Sequence, residues 1–249
     1  VVHVSGEADP ERDIETIETE LAIADLQTIQ ARLPKLEKEA TVDKSLLPKV
    51  EVMQELEKAV GAGELVSSRH DLMAQRPLFS DLHLLTAKPV IYVFNSDEEV
   101  LGSEHRREEL SELVTPAEAL FLDAQVEAEL TELSPEERLE LLASVGQEEP
   151  GLHAVIRAAY RTLGLQSFLT GGEKEVRAWT IKSGATAPEA AGVIHTDFQK
   201  GFIAAEVVDY DELVEAGSWQ AARSKGKVRT EGKSYVMRPG DVVEFRFTV

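Results

Sequence analysis

The sequence predicts an α/β body that carries a long helical hairpin and is followed by a small α+β module. Three observations predict it. A five-residue apolar run, Val90-Ile91-Tyr92-Val93-Phe94, stops abruptly at Asn95-Ser96-Asp97-Glu98-Glu99, as a strand buried on both faces of a parallel sheet does. Apolar residues recur at three- and four-residue steps through much of residues 14–60, the spacing of a helix face. Composition then changes after Leu165. Residues 166–249 hold 11 Lys/Arg and 12 Asp/Glu, a net of −1, whereas residues 1–165 hold 15 and 34, a net of −19. The later segment also holds 9 of the 14 Phe, Trp and Tyr. Such shifts separate domains.

The first helix opens at Asp9-Pro10-Glu11: Asp9 is the N-cap, Pro10 suits the first helical position, and acids fill the first turn. Ile14, Ile17, Leu21, Leu26, Ile29, Leu33 and Leu36 define its apolar face, and Pro34 predicts a kink or an end. A second helix carries Leu46, Leu47, Val50, Met53, Leu56 and Val60 and stops at Gly61-Ala62-Gly63. A short link at Asp43 makes the pair an antiparallel hairpin, either a coiled coil or two helices on a common core. Residues 67–84 are weakly patterned. The strand at 90–94 follows, then a second at 119–122 ending at Asp123-Ala124-Gln125, then helices over 126–131, 135–145 and 152–163. Strands alternating with helices indicate α/β. Beyond Gly171-Gly172, strands are predicted at 175–181, 202–208, 234–237 and 242–247, with helices at 188–194 and 211–216 and a turn at Pro239-Gly240-Asp241.

Composition excludes several classes. A net charge of −20 argues against general nucleic-acid coating and anionic membranes, except through a local basic patch. The absence of Cys removes disulfides, thiolate-zinc sites and a Cys nucleophile, and fits a reducing cytosol. No apolar run approaches the roughly 18–20 residues that span a bilayer. No basic n-region precedes an apolar stretch at the N-terminus. The six histidines show no metal-ligand spacing, and no G-x-S-x-G elbow exists. Gly232-Lys233-Ser234 imitates a phosphate loop, but its first Gly would have to stand at Lys227, and a strand rather than a helix follows.

Two segments carry candidate chemistry. Asn95-Ser96-Asp97-Glu98 lies at the carboxyl end of a strand, where α/β sheets bind ligands. An Asn amide there offers a donor and an acceptor to a purine edge, and a nearby carboxylate accepts from a base amino group. The bland alternative is a helix start, with Asn95 as N-cap and Glu98 completing a capping box. Separately, Arg223, Lys225, Lys227, Arg229 and Lys233 crowd one stretch near Trp219 and Tyr235. This suits RNA phosphate with base stacking, or is an ordinary solvated loop.

Four strings resemble the C-terminal part of the YchF family, the Obg-like ATPases: Glu173-Lys-Glu-Val-Arg-Ala-Trp-Thr180, Ala187-Pro-Glu-Ala-Ala-Gly-Val-Ile-His-Thr-Asp-Phe198, Lys200-Gly-Phe-Ile-Ala-Ala-Glu-Val207 and Gly232-Lys-Ser-Tyr-Val-Met-Arg-Pro-Gly-Asp241. Upstream, Ser5-Gly-Glu-Ala-Asp-Pro10 is similar to the lead into that family's coiled coil, Asn95 to Glu98 to its Asn-x-x-Glu base motif, and Glu127-Ala-Glu-Leu130 to the stretch after its last nucleotide loop.

The resemblance implies an α/β P-loop NTPase-type domain, incomplete at its N-terminus (residues 1–10 and 67–165), a helical coiled-coil insertion (11–66) and a C-terminal α+β TGS domain of β-grasp fold (166–249). It implies ATP or GTP with Mg2+, hydrolysis, and ribosome or rRNA as partner, in the cytoplasm, with no membrane and no DNA. Asn95, Ser96 and Glu98 would meet the base, helped by Asp123 and Ala124, although Asp123-Ala124-Gln125 stands where Ser-Ala-Lys/Arg is usual. Glu98 in place of the Asp of guanine-specific relatives fits relaxed or adenine-leaning selectivity. The family's P-loop, switch threonine and Asp-x-x-Gly segment would precede Val1, so no catalytic or metal-binding residue is assigned within 1–249, and this chain alone is expected not to hydrolyse nucleotide. The alternative is a non-enzymatic adaptor that docks on ribosome or RNA through the coiled coil and the TGS domain.

Overall fold

The computed structural model describes residues 8–147, 149–171 and 175–248. It divides into two compact units, Val1–Val155 and Ile156–Val249.

In the first unit α1 spans Pro10–Val42, and Asp9 caps it by accepting from the Arg12 N–H. The helix runs through Pro34 without ending, contrary to the expected break. Pro34 and Gln30, whose carbonyl loses its partner, both lie on the exposed side, where water can take the bond. After a short 3-10 turn at Lys44–Leu46, α2 covers Leu47–Gly61. The helices run antiparallel: Gln54 donates to Glu37 at 2.9 Å, and Gly61 lies against Leu26. Ile29, Leu36, Met53 and Leu56 are buried between them. The same core takes in Val66, Leu72, Phe79 and Leu84, so the weakly patterned segment is a layer of short turns, with α3 at His70–Met73, packed on the hairpin. The common-core reading of the hairpin is the one observed. Asp25 on α1 is 3% exposed and accepts from the Leu85 and Thr86 N–H groups and the Thr86 hydroxyl at 2.7–2.8 Å.

Strand β1, Ile91–Asn95, and β2, Glu118–Leu122, pair in parallel, with Asn95 opposite Leu122. Between them lie α4, Glu98–Gly102, and α5, Glu104–Glu112. Phe94 and Phe121 stack at 5.1 Å. Tyr92 reaches across to donate a short hydrogen bond to Glu18 of α1; burial, followed by that bond, raises the phenol's pKa. The expectation that β1 is buried on both faces fails. Val93 is 47% exposed, so the strand is not enclosed on both sides. The unit continues with α6, Ala124–Leu130, α7, Pro135–Ser144, with a complete Ser134/Glu137 capping box, and the start of α8, Gly151–Thr162. Glu137 is held below the usual carboxylate range by the Ser134 N–H and hydroxyl.

The second unit is a five-stranded sheet built from β3, Leu165–Gly171, β4, Val176–Lys182, β5, Phe202–Asp209, β6, Arg229–Glu231, and β7, Asp241–Phe247. The strand order is β4-β3-β7-β5-β6, with β3 and β7 parallel and the other pairs antiparallel. Helix α9, Ala187–Ile194, buries Ala187, Ala190 and Ala191 with Phe168 and Val207 in one core. Three short helices complete the unit: α10, Thr196–Lys200, α11, Tyr210–Ala216, and α12, Trp219–Ser224. One strand expectation is corrected, and two strands were missed. Residues 234–237 form no strand, only a bridge between Thr186 and Val236, since Tyr235 turns its ring into the core. Strands β3 and β6 went unpredicted.

No helix among the described residues is long and apolar enough to cross a membrane.

Candidate functional site

The carboxyl ends of β1 and β2 bring together two of the loops singled out in the sequence. The Ser96 N–H donates to the Leu122 carbonyl at 2.8 Å, extending the parallel ladder by one rung. The Ala124 N–H then donates to Asn95 Oδ1 at 3.0 Å. Asn95 therefore caps neither helix. Helix α4 is capped by Asp97, which accepts from Val100 N–H at 3.1 Å, so the helix-start alternative is right about the helix and wrong about its cap. The physical reason is position: Asn95 still belongs to the strand, and its amide points across to the neighbouring strand's loop. The Asn95 Nδ2 hydrogens have no protein partner among the described residues. Ser96 is 5% exposed, and its hydroxyl donates back to the Phe94 carbonyl at 3.2 Å. Glu98 is the first residue of α4 and is exposed. Asp123 caps α6, accepting from Gln125 and Val126.

A cavity of 610 Å³ adjoins the first loop, lined by Asn95, Ser96, Asp97 and Arg106 together with Pro10 and Asp13 of α1. Neither Glu98 nor Asp123 and Ala124 line it. A more apolar cavity of 310 Å³ lies alongside, between α1 and β1, and shares Ile14, Tyr92 and Val93.

Sequence reasoning missed the support behind these loops. Glu127 of α6 accepts from the Gly151 N–H at 2.6 Å and the Leu152 N–H at 3.1 Å. Gly151 sits so close that an added Cβ would stand 2.6 Å from the Cβ of Leu122. No spacing rule joins residue 127 to 151.

The basic stretch of the second unit is largely paired internally. Arg223 and Arg246 make short bonds to the two oxygens of Glu206, which is 5% exposed. Lys227 meets Glu212 at 2.8 Å, which raises the lysine's pKa. Arg229 lies 3.6 Å from Asp241 and over the Tyr235 ring. Lys225 and Lys233 are exposed and make no ion pair among the described residues. The aromatic neighbours are not free to stack. Trp219 packs against Val208, Ala222 and Val242, and the Tyr235 hydroxyl donates to Asp241 at 2.9 Å. The sequence showed aromatics near charges but not which way their rings turn.

Among the described residues no three of His, Asp and Glu gather as metal ligands.

The family model YchF-GTPase_C, described as a protein of unknown function (DUF933), matches residues 165–248. The ribosome-binding ATPase YchF of Bacillus subtilis is 41% identical over 255 residues, across 100% of this chain and 70% of its own. That of Haemophilus ducreyi is 43% identical across 100% and 69%. The Obg-like ATPase 1 of Pongo abelii is 37% identical across 99% and 65%. The structure of the Schizosaccharomyces pombe YchF GTPase superposes with a TM-score of 0.79 at 31% identity, covering 99% of this chain and 68% of that one. Similarity at this level, along essentially the whole chain, means that the chain belongs to the YchF family.

Proposed function

We propose that these 249 residues are the base-recognising and C-terminal portion of a ribosome-associated nucleoside triphosphatase. The observation that carries this reading is the bond from Ala124 N–H to Asn95 Oδ1. It ties together two loops at the carboxyl end of a parallel sheet, the rim where such sheets take ligands. It also leaves the Nδ2 hydrogens of Asn95 for an acceptor on a purine edge, and Glu98 is the carboxylate for a base amino group. The B. subtilis and H. ducreyi relatives are named ribosome-binding ATPases, which supports ATP as the nucleotide and the ribosome as partner, and so a cytoplasmic site of action. The greater length of the relatives, of which this chain covers 70% in the B. subtilis protein, supports further polypeptide that holds the phosphates and magnesium. The hairpin of residues 11–66 is then an insertion in that domain. The parallel placing of β7 beside β3, with α9 packed on the sheet, supports a TGS module of β-grasp type for residues 166–249.

The experiment is nucleotide binding to the whole protein. Asn95→Ala should weaken ATP by about 1–3 kcal/mol, the cost of unpaired groups in a polar site. Asn95→Asp keeps an acceptor for Ala124 but lacks the Nδ2 donors, and should weaken ATP as well. Unchanged affinity in both variants would count against the assignment. The purified 1–249 chain should show no ATP turnover, because its sequence carries no Gly-x-x-x-x-Gly-Lys-Ser/Thr segment to hold β- and γ-phosphates. Measurable turnover would refute that part.

A further inference from the structure

We propose that Glu127 is a positioning residue for the nucleotide base, acting through the loop at Asp123 and Ala124 rather than by touching the ligand. The proposal rests on the base-binding reading above and adds to it the device that holds the loop at its working height.

The two oxygens of Glu127 accept from Gly151 and Leu152 at 2.6 and 3.1 Å. These are the first two N–H groups of α8, which have no partner within their own helix. An anionic acceptor there is also favoured by the helix dipole. The carboxylate thus fastens the start of α8 to α6. The contact is tight as well as polar. A Cβ on Gly151 would lie 2.6 Å from the Leu122 Cβ and 3.0 Å from Glu127 Oε1, so only glycine lets the helix come this near.

Leu122 is the last residue of β2 and pairs with Asn95. Its carbonyl receives the Ser96 N–H at 2.8 Å. Asp123, directly after it, caps α6, and Ala124 bonds to Asn95. The α8 terminus is therefore braced against the residue that leads into one loop and pairs with Asn95, the start of the other. If Glu127 lets go, the two hydrogen bonds that join α6 to that terminus are lost. The Ala124 N–H can then drift from Asn95, and a displacement of about 1 Å is enough to disturb a bound geometry.

A plain helix cap makes a different prediction, namely lower stability with ligand binding untouched. The test uses the whole protein and compares Glu127→Ala, Glu127→Gln and Gly151→Ala with Asn95→Ala. Each is titrated with ATP and, in competition, with inorganic tripolyphosphate, which has no base. For Glu127→Ala the expected result is ATP affinity lower by about fivefold or more, the worth of one hydrogen bond at the base, with tripolyphosphate affinity unchanged. Steady-state ATP hydrolysis should show a raised KM and kcat within about twofold. Glu127→Gln keeps one acceptor for Gly151 and should fall between wild type and Ala. Gly151→Ala should reproduce the loss from the other side of the contact.

If Asn95→Ala weakens ATP while Glu127→Ala and Gly151→Ala bind it normally, the positioning role is wrong and base recognition stands. If none of the four changes ATP affinity, base recognition at these loops falls too. If ATP and tripolyphosphate weaken together, Glu127 is merely structural. Should Glu127→Ala fail to fold, Glu127→Gln decides, and normal ATP affinity in it overturns the proposal.

Discussion

The oxygen and nitrogen ends of the Asn95 amide face different tasks, and only one was legible from the chain. The polar tetrad after an apolar strand marks Asn95 as a ligand candidate by position alone. Its bond to Ala124 spans 29 residues, and no local pattern announces a contact of that separation. Asp25 makes the same point in the core. It reads as one more helix acid, yet it is 3% exposed and holds the backbone of residues 85 and 86. Asp25→Ala would leave the buried Thr86 N–H and hydroxyl without an acceptor, a loss of about 2–3 kcal/mol. Urea unfolding should show a lower midpoint at unchanged slope. An unmoved midpoint would mean that solvent replaces the carboxylate.

Elements with strong periodicity and clear punctuation were read well, among them α1 to its cap, α2, α9, β5 and β7. Those that depend on partners were not. β3 begins Leu165-Gln166-Ser167-Phe168, and it is a strand because β4 and β7 flank it on both edges, which the segment itself cannot report. β6 has three residues and was hidden among the lysines and arginines. At this scale α3 supplies a pH prediction. Arg69, which also bonds Glu64 at 2.8 Å, holds the Asp71 carboxyl down to about 2 from 3.8. The folded state therefore binds that proton less readily than the unfolded one. The stabilisation is complete above pH 3.8 and disappears as pH falls towards about 2. Asp71→Asn should make the fall of stability with acid shallower across that window, as followed by melting temperature against pH. Because Asp71 is exposed the effect is small, and an identical acid limb in wild type and variant would show the bridge to be worth nothing.

For the whole molecule, the change in charge and aromatic content after Leu165 and the long family-typical strings between residues 173 and 241 carried the reading. The family was legible because such strings are long. The state of the basic stretch was not, since charge counts do not reveal pairing. Glu206 sits on the face of β5 with an arginine on either hand, and Glu212 and Asp241 answer two more cations. A polyanion approaching this stretch would find Lys225 and Lys233 as its ready contacts and would have to unmake internal pairs to reach Arg223, Lys227 and Arg229. Few counterions would then be released on docking. The grip of this stretch on a phosphate backbone should therefore respond only weakly to ionic strength, and shape rather than attraction would decide how a partner meets it.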